Sequence, residues 1–313
     1  MTKIGIDIMG GDFAPLAALE GAILALDKLS DDSELWLIGD QLAISDLLQQ
    51  SGIDSERVKI VPTTQVIGME EHPIKALQSK KDSSLAVGFG LLAHKKLDVF
   101  ASAGHSGAVM IGAIHSVKQI DSVWRPCVAS AFPLPDGSKN ILLDVGINVD
   151  CKPEMLVQFA KLGTVYAREV FGIENPKVGL LNTGSEESKG SLMYQKAHEL
   201  LKLESSIEFI GNMESRDFFD GHCDVTVCDG FAGNLILKQT EAFYKLLKKR
   251  NIEDDYLNQF NYENYGGTPV LGVNGNVLLG HGISNANAIC NMILAAEKVA
   301  KANLAEHIKK AFN

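Results

Sequence analysis

Short apolar runs that end in glycine and a polar cluster recur along this chain. The first run, Lys3 to Ile8, is followed by the turn Met9 to Pro15 and by helical apolar spacing over Leu16 to Leu29. Two further runs, Leu35 to Ile38 and Arg57 to Val61, enclose a second helical pattern. Strands that alternate with helices in this order predict parallel pairing through crossover connections.

The same alternation continues to the end of the chain. It predicts helices in two pieces over His72 to Lys96, after Pro153, from about Leu235 and from Asn285. It predicts strands at Asp98 to Ala101, Cys127 to Phe132, Asn140 to Val145, from Val178, at Ile207 to Ile210 and Asp224 to Cys228, with a hairpin-like segment over Gly266 to Gly282. We therefore expect an α/β fold with a mostly parallel sheet and helices on both faces. A single domain over residues 1–313 is the simplest organisation, and two lobes that share one sheet are the alternative.

The stretch Val178 to Ser191 is the most informative part of the chain. Its apolar run ends in a glycine turn that contains Glu186, Glu187 and Lys189. A run of this kind suits a strand covered on both faces, and the polar cluster falls where a parallel sheet presents its carboxyl edge. We expect the two glutamates to cap the next helix and to hold Lys189 in a salt bridge.

Six strand ends share this combination of glycine with Asn, Asp, Ser or His. They are IDIMGGD, FASAGHSGA, LLDVGINVD, LLNTGSEESKGS, TVCDGFAGN and LLGHGISNAN. In open α/β sheets such turns gather at the carboxyl edge, where backbone amides and helix N-termini favour a phosphate-sized anion. Ordinary turn chemistry is an equal alternative for any single one of them. Six together favour an anion site.

Composition and charge exclude several classes of protein. The 313 residues carry 29 basic and 39 acidic side chains, a net charge of −10, which disfavours a nucleic-acid partner. Five cysteines with no CxxC pair disfavour a disulfide framework and indicate a reducing cytosol. The N-terminal segment is interrupted by Asp7, which is typical of a strand and not of a signal peptide, and no run has the length of a membrane span. A cytoplasmic protein is expected.

Familiar catalytic motifs are absent or broken in the sequence. The GSEESKGS loop places Lys189 before Gly190 and carries two acids, unlike a triphosphate-binding loop. No GxGxxG follows a strand, and AGHSGA around Ser106 lacks one residue of a nucleophile elbow. No histidine spacing matches a metal motif, so no metal or cofactor is predicted. His281 lies between two glycines at a strand end, where a functional role and a structural one weigh equally.

Seven motifs taken together indicate a family. DIMGGDFAP, KKDSSLAV, SAGHSGA, LLDVGINVD, LLNTGSEESKG, VCDGFAGNLILK and YGGTPVLGVNG with its later HG resemble the acyl-ACP:phosphate acyltransferase (PlsX) family over residues 4 to about 296. The resemblance implies an isocitrate/isopropylmalate dehydrogenase-like, phosphotransacetylase-like three-layer fold and a homodimer. It also implies conversion of acyl-ACP (acyl carrier protein) and inorganic phosphate into acyl phosphate and free ACP. A membrane glycerol-3-phosphate acyltransferase would use the product.

The chemistry of this reaction makes positioning more important than proton transfer. Phosphate is already partly dianionic at neutral pH, and a thiol of pKa about 8.5 leaves readily. For this chemistry we expect three catalytic side chains, Lys189, Asn234 and His281, of which Lys189 would neutralise the phosphate charge. We expect substrate-binding roles for Gly10, Gly11, Asp12, Gly104, Ser106, Asn148, Gly184, Asp229, Gly230 and Gly233. Capping of a turn or helix is an equal alternative for Asp12 and Asp229.

Three departures from the family pattern stand out. His105-Ser106 replaces an expected Asn-Thr, and Gln78 replaces an expected Arg, which leaves Lys80 and Lys81 to supply positive charge. The segment at about 243–264 is a shortened helical excursion with little apparent apolar surface, so weak membrane contact is expected, with peripheral association at the inner face as the alternative.

An acidic carrier protein needs a local basic surface on a chain of net charge −10. The densest candidate consists of Lys245, Lys248, Lys249 and Arg250, and a solvated helix end is the alternative. Two other functions stay open at this point: a phosphate acetyltransferase that uses a CoA thioester, and a non-catalytic ACP-binding regulator.

Overall fold

A computed structural model describes residues 1–53 and 56–313. The chain divides into two compact units. The first contains Met1–Ile120 and Tyr262–Ala305, and the second contains Asp121–Asn261 and Glu306–Asn313. Each unit is described below by itself.

Eleven strands and twelve α-helices make up the regular structure of the described residues. The strands are β1 Thr2–Asp7, β2 Ser33–Gly39, β3 Val58–Pro62, β4 Val99–Ser102, β5 Cys127–Pro133, β6 Lys139–Leu143, β7 Lys177–Leu181, β8 Glu208–Met213, β9 Val225–Val227, β10 Gly267–Leu271 and β11 Asn276–Gly280. The helices are α1 Leu16–Leu26, α2 Gln41–Gln50, α3 Pro73–Ser79, α4 Ser84–Ala93, α5 Ser106–Gly112, α6 Pro153–Phe171, α7 Leu192–Leu203, α8 Gly230–Lys249, α9 Asp255–Asn258, α10 Tyr262–Tyr265, α11 Ala286–Lys301 and α12 Leu304–Phe312. A π-helical turn, Ala113–Lys118, continues α5.

The first unit is built on six strands in the order β3-β2-β1-β4-β11-β10. All neighbouring pairs are parallel except the β10–β11 hairpin. The predicted βαβαβ start is confirmed, as is the hairpin within residues 266–282. The central strand β1 has fully buried isoleucines, Ile4 and Ile6, as a strand covered on both faces requires.

The second unit is built on five strands in the order β5-β6-β9-β7-β8. The β5–β6 pair is an antiparallel hairpin, and the other pairs are parallel. The predicted α/β class with a mostly parallel sheet is thus confirmed. In both units parallel strands end at one edge, so the polar turns after them lie at the same edge of each sheet.

Two predicted helix starts are wrong. Helix α8 begins at Gly230, five residues before the predicted Leu235, because Asp229 acts as its N-cap and accepts a bond from the backbone amide of Ala232. Helix α7 is capped by Ser191, whose hydroxyl accepts from the amide of Tyr194, and not by Glu186 or Glu187. Lys189 therefore lies in the loop before α7.

Candidate active site

In the first unit, the buried carboxylate of Asp7 holds the turn that follows β1. It accepts bonds from the amide of Met9 at 3.0 Å and from the hydroxyl of Ser102 at 2.7 Å. The same hydroxyl accepts from the amide of Gly104 at 3.0 Å, so the turns after β1 and β4 are tied together. Burial raises the pKa of the Asp7 carboxyl, and the hydrogen bonds that it accepts oppose that rise.

Glycine is required at Gly10 because the two turns approach so closely. A Cβ atom there would lie 2.5 Å from Asp7 Oδ2 and 2.7 Å from the backbone nitrogen of Gly104. The structure therefore brings together two predicted substrate-binding residues, Gly10 and Gly104. The close packing of the two backbone turns explains why both positions are glycine.

The next residues join this turn to the end of β11. The amide of Asp12 donates to the carbonyl of Gly282 at 2.8 Å, and Gly11 has a positive φ of 109° beside the same carbonyl. Asp12 does not cap α1, which begins after Pro15. Next to Gly282, the exposed ring of His281 lies 5.8 Å from the ring of Tyr262, centroid to centroid. Asp12 and His281 thus belong to one cluster.

Ser106 is the first residue of α5, and its side chain is exposed. His105 caps this helix. Its Nδ1 accepts from the amides of Gly107 and Ala108, while Nε2 donates to the carbonyl of Glu71 at 3.0 Å. This pattern requires the neutral ring with its proton on Nε2. The departure from the family pattern at this position therefore keeps a helix cap.

Lys80 does not supply a free cation in place of the expected arginine. Its ammonium bonds to Glu71 at 2.6 Å and to the carbonyl of Val66 at 2.7 Å. That ion pair lowers the pKa of the Glu71 carboxyl. Lys80 ties a loop to the end of α3, and the charge lost at Gln78 is not replaced by it.

In the second unit, the buried carboxylate of Asp144 holds the turn that follows β6, as Asp7 holds the turn that follows β1 in the first. One carboxylate oxygen accepts from the amide of Val128 at 3.1 Å. The other accepts from the amides of Ile147 and Asn148, at 3.2 and 2.6 Å, and from the Asn148 side chain at 2.9 Å. Burial raises the pKa of the Asp144 carboxyl, and these four hydrogen bonds oppose that rise. The loop 144–148 is therefore fixed from inside.

The start of α8 packs directly on this loop. A Cβ atom on Gly233 would lie 2.0 Å from the carbonyl oxygen of Asp144, and one on Gly230 would lie 2.9 Å from Asn148 N. The amide of Gly230 donates to Asn148 O at 2.7 Å, and the Asn234 side chain donates to Val145 O at 3.4 Å. Four predicted residues, Asn148, Gly230, Gly233 and Asn234, thus come together. The amides of Gly230 and Gly233 are engaged within the protein.

Asp229 joins α8 to α7. One of its oxygens caps α8, and the other accepts from the hydroxyl of Tyr194 at 2.8 Å, while the Asp229 amide donates back to that hydroxyl at 3.1 Å. Desolvation raises the pKa of Tyr194 well above its ordinary value, so the phenol stays protonated. The capping role considered for Asp229 is confirmed, and the first turn of α7 is anchored beside it.

The loop before α7 fixes Lys189. Its amide donates to Glu186 O at 3.0 Å, and its carbonyl accepts from the Asn182 side chain at 3.3 Å. Its stem crosses Gly184, where a Cβ atom would lie 2.8 Å from Lys189 Cγ. The ammonium is 3.8 Å from Glu186 Oε1, which confirms that predicted salt bridge, and 48% of the side chain is exposed.

Glu187, by contrast, lies away from Lys189. Its carboxylate bonds to Lys202 at 2.7 Å, and this contact lowers its pKa. The predicted pairing of both glutamates with Lys189 is therefore correct for Glu186 only.

Two thiols, Cys151 and Cys228, lie at this cluster, and burial raises the pKa of the Cys228 thiol well above its ordinary value. Cys151 donates to the carbonyl of Asn148 at 3.3 Å. Burial, and then the charges of Asp144 and Asp229, raise its pKa to about 12. A neutral thiol is a poor nucleophile at neutral pH, so the site supplies no thiolate for a covalent acyl intermediate.

The candidate docking surface for ACP lies at the end of α8. Lys245, Lys249 and Arg250 are exposed, whereas Lys248 is paired with Glu253 at 2.6 Å. The same segment has more apolar surface than expected: the exposed fractions are 56% for Phe243, 49% for Leu246 and 39% for Ile252. The expectation of little apolar surface here is wrong, because helical spacing leaves Phe243 and Leu246 on the outer face of α8 and Ile252 lies in the loop after it.

Sequence reasoning missed Asp7, Asp144 and Tyr194, which hold the candidate residues in place. A signal exists for the two aspartates, since each is a single acid at the end of an apolar strand, in IGIDIM and ILLDVG. Such an acid is buried and must accept several hydrogen bonds. Nothing in the sequence indicates the bond between Tyr194 and Asp229, which are 35 positions apart.

Solved structures with the same fold define the class to which this architecture belongs. A phosphotransacetylase from Streptococcus pyogenes has a TM-score of 0.66 at 18% identity, covering 96% of this chain and 94% of that one. The EutD phosphotransacetylase from Staphylococcus aureus has a TM-score of 0.63 at 19% identity, with the same coverage of both chains. The fold is therefore phosphotransacetylase-like, as expected.

Sequence comparison then identifies the family. The model of the family described as "Fatty acid synthesis protein" matches residues 2–307. The chain is 41% identical over 331 aligned positions to the phosphate acyltransferase of Halothermothrix orenii, covering 99% of this chain and 98% of that protein. It is 41% identical over 326 positions to the phosphate acyltransferase of Acetivibrio thermocellus, at 98% and 95% coverage. The chain belongs to the Fatty acid synthesis protein family, and the resemblance seen in its motifs is confirmed.

Proposed function

We propose that this protein transfers an acyl group from acyl-ACP to inorganic phosphate, which yields acyl phosphate and free ACP. Like its relatives over their full length, the chain is a phosphate acyltransferase. The product feeds glycerophospholipid synthesis. The observation that supports a direct mechanism is the half-exposed ammonium of Lys189 on a loop bonded at both ends, in a unit where burial raises the pKa values of the thiols Cys151 and Cys228.

In the proposed reaction, a phosphate oxygen attacks the thioester carbonyl and the ACP thiolate leaves. The new bond is a carbon–oxygen bond to phosphate, and the bond that breaks is the carbon–sulfur bond. The thiolate takes a proton from phosphate or from water. Lys189 neutralises the phosphate charge during attack, and fixed charges of this kind stabilise the transition state without reorganisation.

The other candidate residues divide into side chains that contact substrate and residues that position them. Asn234 and His281 remain the proposed side chains at the reacting groups, with Asp12 and Ser106 in substrate binding. Asn148, Asp229, Gly230 and Gly233 carry the proposed binding role mainly by fixing the start of α8, because their polar atoms bond within the protein. Four glycines are proposed to act by leaving room for close contacts of the backbone and of the Lys189 side chain: Gly10, Gly11, Gly104 and Gly184.

The proposed partners are an acidic ACP, a second copy of this chain and a membrane glycerol-3-phosphate acyltransferase that uses the product. In the part of the chain that the structure describes, no helix is both long and apolar enough to cross a membrane. We propose a cytoplasmic protein with peripheral contact at the inner face, which the exposed side chains of Phe243, Leu246 and Ile252 support. Absence of flotation of the purified protein with lipid vesicles would contradict this contact, and sedimentation as a monomer would contradict the homodimer.

The decisive experiment incubates the purified protein with acyl-ACP and labelled phosphate and traps acyl phosphate as its hydroxamate. We expect phosphate-dependent hydroxamate and release of free ACP. Acyl-CoA of the same chain length is the matched control. Product from acyl-CoA alone would indicate a CoA-dependent phosphate acyltransferase, and no product from either donor would refute the catalytic proposal.

A further inference from the structure

Strand β8 contains one extra residue where it pairs with β7. Val178 pairs with Phe209, whereas the next residue of β7 pairs with Gly211, so Ile210 is an extra residue in β8. Gly211 has a positive φ of 106°, and a Cβ atom there would meet nothing within 4 Å. Glycine is therefore needed at this position for the backbone angle of a bulge and not for space.

The bulge turns Asn212 toward helix α7. In a regular strand, side chains three positions apart point to opposite faces of the sheet. Phe209 and Asn212 are three positions apart, yet both contact His198 of α7. The ring of Phe209 lies 5.2 Å from the His198 ring, centroid to centroid, and Asn212 Oδ1 lies 2.9 Å from His198 Nδ1. The extra residue between them accounts for this, since a bulge re-aims the side chains that follow it.

Hydrogen bonds lead from His198 to the loop that carries Lys189. The Asn212 side chain donates through Nδ2 to the carbonyl of Glu186 at 2.8 Å, and the amide of Lys189 donates to the same carbonyl at 3.0 Å. Because a carbonyl only accepts, Asn212 has its oxygen toward His198, and Nδ1 of His198 must carry a proton. The buried ring of His198 thus fixes the orientation of the Asn212 amide group.

The bond from Asn212 differs from the other bonds that side chains donate to carbonyls of this loop in the described structure. Asn182 donates to the carbonyl of Lys189, and Gln195 donates to two further carbonyls, each across seven positions or fewer. The bond from Asn212 to Glu186 spans 26 positions. Asn212 therefore ties the loop to a different strand of the sheet, whereas the others hold it to its own flanks.

We propose that Asn212 and His198 are positioning residues for Lys189 in the transfer of the acyl group to phosphate. The inference rests on the proposed function and on the anion-binding role of Lys189. Asn212 holds the Glu186 carbonyl, so the Lys189 ammonium keeps its place when phosphate binds, and His198 keeps Asn212 from turning over. Displacement of a catalytic group by about 1 Å can lower a rate by about 100-fold.

Removal of the donor on β8 tests this role. Asn212→Leu removes the bond to Glu186 and keeps a side chain of similar size. We expect kcat for hydroxamate formation to fall about tenfold or more and KM for acyl-ACP to stay unchanged, because only the position of the catalytic charge changes. The double variant Asn212→Leu/Lys189→Ala is the sharper measurement. With the lysine absent there is nothing left to position, so Asn212→Leu should cause no further loss.

A matched pair at His198 guards against misfolding of the first variant. His198→Asn keeps a donor near the position of Nδ1 and should retain most of the activity. His198→Leu removes the donor and should lower kcat as Asn212→Leu does. Circular dichroism establishes which variants are folded.

Four outcomes are distinguishable. A folded Asn212→Leu variant with wild-type kcat overturns the inference. So does an equal further loss in the Lys189→Ala background, because independent effects add and the role of Asn212 would then be structural. Equal activity of His198→Leu and His198→Asn overturns the role of His198. Absence of hydroxamate from the wild type with every acyl-ACP would instead refute the proposed function.

Discussion

Lys189 is bonded through both of its backbone polar groups, to Glu186 and to Asn182, so its position does not depend on a substrate. Its only ion pair in the described structure is long, at 3.8 Å, and both partners are more than 45% exposed. Such a surface pair contributes little to stability. Lys189 therefore contributes little to the stability of the fold through this pair, which is consistent with the proposed anion-binding role.

Substitution of Lys189 by alanine tests this role. We expect kcat/KM for acyl phosphate formation to fall by about 100-fold or more, since loss of one preorganised charge or donor has that effect. The thermal unfolding midpoint should be unchanged. Ser188→Ala is the matched control on the same loop, because Ser188 acts there through its carbonyl, which accepts from Gln195 at 2.8 Å and is kept in alanine. Near-normal turnover in Lys189→Ala would make the lysine structural.

Helix α8 joins the candidate site at its start to the candidate docking surface at its end. Only Gly230 and Gly233 of its 20 residues are buried, so its first turn is fixed by the loop 144–148, while most of its length is exposed or partly exposed. The contact of Gly233 with the Asp144 carbonyl leaves no room for a side chain. Backbone contacts of this kind relax poorly, because neither partner can rotate away.

Gly233→Ala should destabilise the protein by about 1–3 kcal/mol through overpacking and should lower activity as the first turn shifts. The matched control is Gly90→Ala within α4, where an added Cβ atom meets nothing within 4 Å. There the better helix propensity of alanine should stabilise the protein by about 0.5–1 kcal/mol. Urea unfolding followed by circular dichroism compares the two. A stabilised Gly233→Ala variant would show that the approach to Asp144 is not as close as the structure has it.

For the whole molecule, a net charge of −10 must be reconciled with an acidic protein substrate. General electrostatic attraction is ruled out, so recognition has to be local. The end of α8 offers Lys245, Lys249 and Arg250 on its exposed surface. The proposed recognition of the carrier protein would then be confined to the end of one helix.

The double variant Lys245→Glu/Lys249→Glu should raise KM for acyl-ACP and weaken its dependence on salt, with little effect on kcat. Lys309→Glu/Lys310→Glu changes the net charge equally on exposed residues of α12 and should leave KM unchanged. Steady-state kinetics at two salt concentrations distinguish a local surface from a general charge effect. If both double variants behave alike, the end of α8 is not the docking surface.

The local pattern of apolar and polar residues was sufficient to predict most helices and strands and their order. Apolar periodicity and the glycines that end each element are properties of neighbouring residues. It located the strand before Lys189, the parallel pairing of the first three strands and the family motifs. It placed the start of α8 wrongly, since the apolar signal of Leu235 is stronger than the capping signal of Asp229, and it gave Glu187 the wrong partner.

Contacts between distant positions required the tertiary structure. The bond of Tyr194 to Asp229, the bond of the Val128 amide to Asp144 and the close approach of Gly233 to Asp144 all join segments whose spacing in the chain carries no period. A cavity beside the C-terminal half of α8 is of the same kind, because its wall comes from four separate segments: Pro135, residues 219–220, residues 240–247 and residues 256–260. The sequence by itself thus determined the fold class, the family and the set of candidate site residues. The tertiary structure decided which of them bind one another, because packing in three dimensions, and not order along the chain, sets those distances.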